Sequence, residues 1–156
     1  MNTDMNYAII GCGLIGKKRL NGLPAGSKLI VACDTNLSRA EELAKISQTA
    51  RAVSDFKEAI ADPQVNAVIV ATINSELAPI AAAAIRAGKH VIVEKPAGIS
   101  VAEIDELISL EKEHGVCVRV GFNHRFHPAF QKAREIFESG VMGELTLLDA
   151  VTGAAR

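Results

Sequence analysis

Residues 7–16 read Tyr7-Ala8-Ile9-Ile10-Gly11-Cys12-Gly13-Leu14-Ile15-Gly16, an apolar run followed directly by the pattern GxGxxG. Glycine-rich sextets also occur by chance. Here, however, the pattern follows a predicted strand and opens a predicted helix at the start of a βαβ unit, the context in which it binds dinucleotides. Gly11 permits the tight turn, Gly13 lets the backbone approach a pyrophosphate, and Gly16 lets helix and strand pack closely.

The helix that begins after this loop strengthens the prediction. Its first residues, including Leu14 and Ile15, present backbone N–H groups and a partial positive charge to a bound phosphate. The alternative is a purely structural strand–helix turn that holds no ligand.

An acidic residue, Asp34, ends the next apolar run, where a carboxylate can accept hydrogen bonds from both ribose hydroxyls of an adenosine. A carboxylate there also repels a 2′-phosphate, which favours NAD over NADP. Alternatively, Asp34 starts only the turn at Thr35-Asn36. Arg39 is the nearest residue that could soften the preference for NAD, or it is a solvated helix charge.

Outward from the loop, short apolar runs alternate with longer segments of helical periodicity. The predicted strands are 7–10, 28–33, 52–53, 65–71, 90–93 and 116–120. The predicted helices are 14–23, 38–46 with Ile46 on its apolar face, 55–61 capped by Asp55, 76–87 with Pro79 in its first turn, and 101–114 closed by Gly115. Strands this uniformly apolar are covered on both faces, so the pattern predicts an α/β fold with a doubly wound parallel sheet.

The pattern changes after Val120. An aromatic and basic turn at 122–127 precedes a predicted helix at 128–139, a turn at 140–143 and one further strand at 145–151. We therefore expect a cofactor domain over 1–121, then a hinge and the start of a second, incomplete domain over 122–156. A lone apolar strand needs a neighbour, either in the main sheet or in another chain.

Composition excludes several classes of function. The chain has 156 residues, with 17 Lys+Arg against 18 Asp+Glu, so no basic excess favours a nucleic-acid partner. We see no apolar run of about 20 residues and no secretory signal, and no His, Cys, Asp or Glu cluster has metal-ligand spacing. The three cysteines lack CxxC spacing and are expected to be buried thiols in a cytoplasmic protein.

The run Ala87-Gly88-Lys89-His90-Val91-Ile92-Val93-Glu94-Lys95-Pro96 strongly resembles the AGKHVxxEKP segment of the Gfo/Idh/MocA family of oxidoreductases. The GxGxxG loop, residues 71–74 (ATIN) and residues 121–126 (GFNHRF) also resemble this family. The resemblance covers nearly the whole chain and implies a Rossmann domain that binds NAD(P). It further implies hydride transfer with a sugar, cyclitol or sugar-nucleotide alcohol, and association of the second domain into a homo-oligomer.

Site residues carried over by this resemblance include Lys95, implied as the catalytic residue beside the nicotinamide and the reacting hydroxyl. An ammonium there stabilises developing alkoxide charge. Glu94 is implied as a cofactor or positioning contact. Thr72 and Asn74 are implied as cofactor-side contacts, with helix capping by Asn74 or Ser75 as the alternative. Arg125 is implied as a contact to cofactor or substrate, or as a solvated hinge residue.

Two departures from the family pattern bear on activity. Leu77 stands where the family commonly carries a histidine, and the family's remaining catalytic residues lie in a second domain, beyond Arg156. We therefore expect the family chemistry in the parent enzyme and little turnover by these 156 residues. The alternative function is an NAD(H)-binding module without catalysis.

Overall fold

Six short apolar runs form one parallel sheet in the computed structural model, which describes residues 5–148. The strands are β1 (Asn6–Ile10), β2 (Lys28–Cys33), β3 (Arg51–Val53), β4 (Ala67–Val70), β5 (His90–Val93) and β6 (Val118–Val120). The predicted bounds of β2 and β5 coincide with the observed ones. The α/β fold with a parallel sheet is thereby confirmed.

Five α-helices connect these strands: α1 (Leu14–Asn21), α2 (Leu37–Ser47), α3 (Phe56–Ala61), α4 (Asn74–Arg86) and α5 (Val101–His114). Their starts follow local capping chemistry, because the Asp55 side chain accepts from Lys57 N–H and the Ser100 side chain accepts from Glu103 N–H. Gly115 ends α5 in the left-handed conformation at φ 64°. Within residues 5–148 no helix is both long and apolar enough to cross a membrane.

The strand order is β3-β2-β1-β4-β5-β6. Successive strands are added on one side of β1 up to β3 and then on its other side from β4, so the order of addition reverses between β1 and β4. In open parallel sheets, ligands bind outside the carboxyl ends of the strands at this reversal. The topology therefore places the ligand crevice where β1 gives way to the glycine-rich loop.

The two faces of the sheet carry separate apolar cores. Alternate residues of β1 divide between them, with Ala8 and Ile10 packing with α3, α4 and α5, and Tyr7 and Ile9 packing with α2. This alternation follows the period of two along a strand. The sheet is covered on both faces, as the uniformly apolar strands predict.

Two details of the helices differ from the sequence prediction. Helix α4 begins at Asn74, two residues early, so Pro79 lies in its second turn and removes a hydrogen-bond donor from the helix. Ile46 of α2 is 56% exposed, whereas Leu43 is fully buried. Helical geometry explains this, because Ile46 lies about 120° around the helix from the buried Ala40.

The chain divides into two compact units, Met1–Gly121 and Phe122–Arg156. In the second unit, a 3₁₀ turn (Asn123–Phe126) precedes α6 (Pro128–Glu138). His127, expected as a loop residue, caps α6, because its Nδ1 accepts from Ala129 N–H at 3.2 Å. The Phe130 ring stacks on His124 at 6.0 Å and meets the edge of His127 at 6.1 Å.

The strand predicted at 145–151 is not found where the structure describes it. Residues 145–148 have no regular secondary structure, and Leu147 and Leu148 are largely exposed. A strand needs a hydrogen-bonded neighbour, and the described part of this unit holds no other strand. Residues 149–151 lie outside the described residues.

Substitutions on α2 test the burial on which this architecture depends. Leu43→Ala should lower the free energy of unfolding by about 2–5 kcal/mol, because it leaves a cavity in a fully buried site. Ile46→Ala on the same helix should change it by only about 0.5 kcal/mol. Urea denaturation of both variants measures the difference, and equal losses would contradict the assigned faces.

Candidate functional site: a crevice at the carboxyl ends of the strands

A crevice of about 500 Å³ lies at the carboxyl ends of the central strands. Its walls come from the loops that follow β1, β2, β3 and β4 and from the first turns of α2 and α3, and they include Gly13, Asp34, Arg39, Phe56 and Thr72. The position agrees with the reversal of strand order between β1 and β4. The crevice thus brings together three of the segments predicted to bind the cofactor, which carry Gly11 and Gly13, Asp34, and Thr72.

The three glycines of the loop meet different surroundings. A Cβ on Gly11, which has φ +96°, would lie 2.3 Å from the Ala71 carbonyl oxygen, and a Cβ on Gly16 would lie 2.1 Å from the Gly11 carbonyl oxygen. Both contacts are with backbone, so neither position accepts a side chain. A Cβ on Gly13 would meet nothing within 4 Å. The loop is therefore closed against the protein at Gly11 and Gly16 and open at Gly13.

Helix α1 begins at this open point without a side-chain cap, whereas α2, α3, α5 and α6 each have one within the described residues. The first helical hydrogen bond runs from Lys17 N–H to the Gly13 carbonyl at 3.0 Å. The backbone N–H groups of Leu14, Ile15 and Gly16 precede it and have no intrahelical acceptor. An unobstructed glycine followed by uncapped N–H groups fits a bound pyrophosphate.

Asp34 connects this loop to the end of β2. Its Oδ2 accepts from Cys12 N–H at 2.9 Å, and its Oδ1 accepts from Asn36 N–H at 2.9 Å. The second contact is the turn-starting role that the sequence left open. Each carboxylate oxygen has a further lone pair, so these bonds leave acceptor capacity towards the crevice. Arg39 also lines the crevice and is exposed.

The segment after β4 carries Thr72 and Asn74. Thr72 lines the crevice, and its hydroxyl donates to the Ile73 carbonyl at 3.4 Å. The N-cap of α4 is Ile73, with no side-chain cap, so the alternative of capping by Asn74 or Ser75 is wrong. Leu77 is fully buried in the core, which gives this position a packing role.

Glu94 and Lys95 follow β5, two strands along from β1 at the same edge of the sheet. Lys95 is exposed and is joined to Pro96 by a cis peptide bond. Glu94 is 8% exposed and forms an ion pair with Arg19 of α1, whose Nε donates to Oε1 at 2.6 Å. Sequence reasoning missed Arg19, whose only signal was a basic residue in the last turn of a short helix.

Arg125, the remaining predicted contact, belongs to the second unit. It lines a surface cleft of about 630 Å³ together with Phe126, Phe130 and Arg134. Its role toward a cofactor stays a prediction. Among residues 5–148, no three His, Cys, Asp or Glu side chains are placed to hold a metal ion.

The cysteines differ in environment. Burial, together with the Asp34 carboxylate, raises the pKa of the Cys12 and Cys33 thiols to about 12 each. Cys117 is exposed, so the expectation that all three thiols are buried is wrong for this residue. Strand β6 begins only at Val118, so Cys117 lies in the connection between α5 and β6.

The fold and the crevice together define a dinucleotide-binding domain of the Rossmann type. The sequence profile described as "Oxidoreductase family, NAD-binding Rossmann fold" matches residues 5–122. The chain belongs to this family, Gfo/Idh/MocA.

Individual relatives agree with this assignment. Inositol 2-dehydrogenase of Mycolicibacterium smegmatis is 35% identical over 153 residues, which are 96% of this chain and 44% of the relative. The structure of GenD2 from gentamicin A biosynthesis, in complex with NAD, has 31% identity and a TM-score of 0.81 over 88% of this chain and 40% of its own. UDP-N-acetylglucosamine 3-dehydrogenase GnnA from Acidithiobacillus ferrooxidans has 32% identity and a TM-score of 0.77 over 85% of this chain and 43% of its own. The chain thus spans less than half the length of the relatives it matches.

Thiol reactivity tests the burial around the crevice. At pH 8 a thiol with a pKa of about 12 is roughly 0.01% thiolate, so Cys12 and Cys33 should not react in the folded chain. Ellman's reagent should titrate one thiol in the native protein and three in denaturant. Cys117→Ser should abolish the native reaction, and rapid loss of more than one native thiol would contradict the buried placement.

Proposed function

We propose that this chain forms the cofactor-binding part of an NAD-dependent oxidoreductase. The reaction is hydride transfer between nicotinamide and an alcohol of a sugar, cyclitol or sugar nucleotide. The observation that carries the proposal is the single crevice in which the open Gly13 backbone and the Asp34 carboxylate lie together. A pyrophosphate and an adenosine ribose are adjacent in one ligand, the dinucleotide, and these two features suit its two parts.

The residues present divide the binding of the dinucleotide among them. The N–H groups at the start of α1 bind the pyrophosphate, and Gly13 allows its close approach. Asp34 accepts hydrogen bonds from the ribose hydroxyls with the lone pairs that Cys12 and Asn36 leave free. Thr72 and Asn74, after β4, are proposed contacts toward the nicotinamide half. When bound, NAD supplies the electron-accepting ring.

Lys95 is the proposed catalytic residue. It follows β5 at the carboxyl edge of the sheet and is exposed to the solvent that a substrate would displace. Its ammonium group can donate hydrogen bonds to a substrate hydroxyl and stabilise negative charge that develops on that oxygen. Glu94 is buried beside Arg19, which supports a positioning role rather than a direct cofactor contact.

The substrate class rests on the relatives alone. These relatives include an inositol 2-dehydrogenase and a UDP-N-acetylglucosamine 3-dehydrogenase, whose names refer to polyhydroxylated rings. We propose a substrate of this class for the whole protein. A homo-oligomeric assembly, which the family resemblance implies, stays a prediction.

A second candidate function is binding of NAD(H) without turnover by these 156 residues. The supporting observation is that the matched region covers 40–44% of the length of the relatives cited above and includes their cofactor-binding fold. Catalysis requires cofactor, substrate carbon and proton acceptor to be held together, and misplacing one of them costs orders of magnitude in rate.

Cofactor preference tests the crevice. Asp34 should make NADH bind roughly tenfold or more tightly than NADPH, because its charge opposes the 2′-phosphate. Asp34→Asn removes that charge with little change in shape and should narrow the ratio, as measured by calorimetry with both cofactors. As a matched control, Gly13→Ala should weaken both cofactors alike, since the pyrophosphate is common to them. Tighter NADPH binding by the unmodified chain would remove Asp34 from this role.

Turnover separates the two candidate functions. We expect the 156-residue chain to bind NAD(H) and to show little or no reduction of NAD with inositols, free sugars or UDP-sugars. A longer version of the protein is assayed with inositols, sugars and sugar nucleotides to find a substrate on which it is active. With that substrate, Lys95→Ala in the longer version should lower kcat by roughly 100-fold or more and leave NAD affinity nearly unchanged. Robust turnover by the 156 residues themselves would contradict the binding-only candidate.

A further inference from the structure

The Arg19–Glu94 ion pair lies between the two functional segments of the first unit. Glu94 is the one charged residue that is buried as a whole among residues 5–148, with 8% of its surface exposed. The Arg19 side chain is only 25% exposed. A buried carboxylate without a partner is costly, so the placement of Glu94 depends on the Arg19 guanidinium.

The pair joins elements that are distant in sequence. Arg19 lies in the last turn of α1, the helix whose first turn forms the glycine-rich loop, and Glu94 immediately precedes Lys95. The start of α1 is held by the close contact of Gly16 with the Gly11 carbonyl. A short helix with one end packed and the other end paired acts as a rigid spacer between the loop and the end of β5.

Backbone contacts fix the turn around Lys95 from both sides. Glu94 N–H donates to the Val70 carbonyl at 2.9 Å, and Ala97 N–H donates to the Glu94 carbonyl at 2.9 Å. Ala97 has φ +73° and is 1% exposed, so burial of its methyl group holds a conformation that residues other than glycine rarely adopt. Lys95 therefore lies between two anchored residues.

Gly121 provides the space that the pair occupies. A Cβ on Gly121 would lie 2.7 Å from Arg19 Nη2 and 3.0 Å from Glu94 Oε2. The end of β6 is thus packed against the ion pair itself, and Gly121 N–H donates to the Val93 carbonyl at 2.8 Å. The segments that carry Gly121, Glu94 and Arg19 meet at one point.

We propose that Arg19 and Glu94 are positioning residues that hold Lys95 in register with the dinucleotide bound at the glycine-rich loop. Neither residue touches the reacting atoms in this role. Arg19 fixes the Glu94 carboxylate, and Glu94 fixes the backbone from which Lys95 projects. This inference rests on the proposed function, in which Lys95 lies beside the bound cofactor.

Acetylation of Lys95 by limiting acetic anhydride, quantified by mass spectrometry with and without NAD⁺, reports the position of this lysine without requiring turnover. NAD⁺ is supplied at a saturating concentration that calorimetry establishes for each variant. Lys112, exposed on α5, serves as the internal reference. In the unmodified chain we expect NAD⁺ to slow Lys95 acetylation roughly tenfold, the factor that corresponds to one hydrogen bond made by a charged group.

Arg19→Met should reduce this protection to less than about twofold while NAD⁺ still binds, because the loop contacts are retained. Arg19→Lys keeps the charge without the guanidinium fork and should restore part of the protection. Arg86→Met is the matched control, since it removes the half-exposed ion pair with Glu106 between α4 and α5 and should leave protection unchanged.

If Arg19→Met does not fold, Gly121→Ala and Arg19→Lys decide the question. The added methyl group displaces the pair without removing either charge, so protection should fall in Gly121→Ala as well. Full protection of Lys95 in the folded Arg19 and Gly121 variants would overturn the positioning role. Absence of protection in the unmodified chain, with NAD⁺ bound, would instead overturn the placement of Lys95 in the proposed function, and the positioning role with it.

Discussion

At the end of β1, three backbone segments approach so closely that two positions have no room for a side chain. The Gly11 Cα faces the Ala71 carbonyl, and the Gly16 Cα faces the Gly11 carbonyl, with an added Cβ at 2.3 and 2.1 Å respectively. This contact sets the distance between β1, β4 and α1. The crevice, the direction of α1 and the route of the chain into β2 all depend on it.

Within this short loop, different glycines serve packing and the proposed binding of the cofactor. Gly11 and Gly16 serve the packing of helix against sheet, whereas Gly13 faces open space at the uncapped start of α1. Asp34 then connects the two tasks, because one carboxylate holds the loop through Cys12 N–H and also lines the crevice. Asp34 thus supports both the conformation of the loop and the proposed ribose contact.

The ion pairs of the described residues differ in how deeply they are buried. Most ion pairs of the described residues are exposed, and exposed pairs contribute little to stability. In the Arg19–Glu94 pair, by contrast, both side chains are largely buried, and the pair lies next to the lysine that the family resemblance marks as catalytic. Leu77 is an uncharged contrast to this pair. It is a fully buried core residue at a position where the family commonly carries a histidine.

The sequence by itself determined the features that depend on neighbours along the chain. The presence and order of the strands and helices follow from local periodicity, and the helix ends at Asp55 and Gly115 follow from bonds that span two to four residues. Only the tertiary structure decided which strands adjoin and that Arg19 meets Glu94 across 75 residues of sequence. The strand predicted over 145–151 is absent from residues 145–148 for the same physical reason, because a strand exists only where a second chain segment supplies its hydrogen bonds.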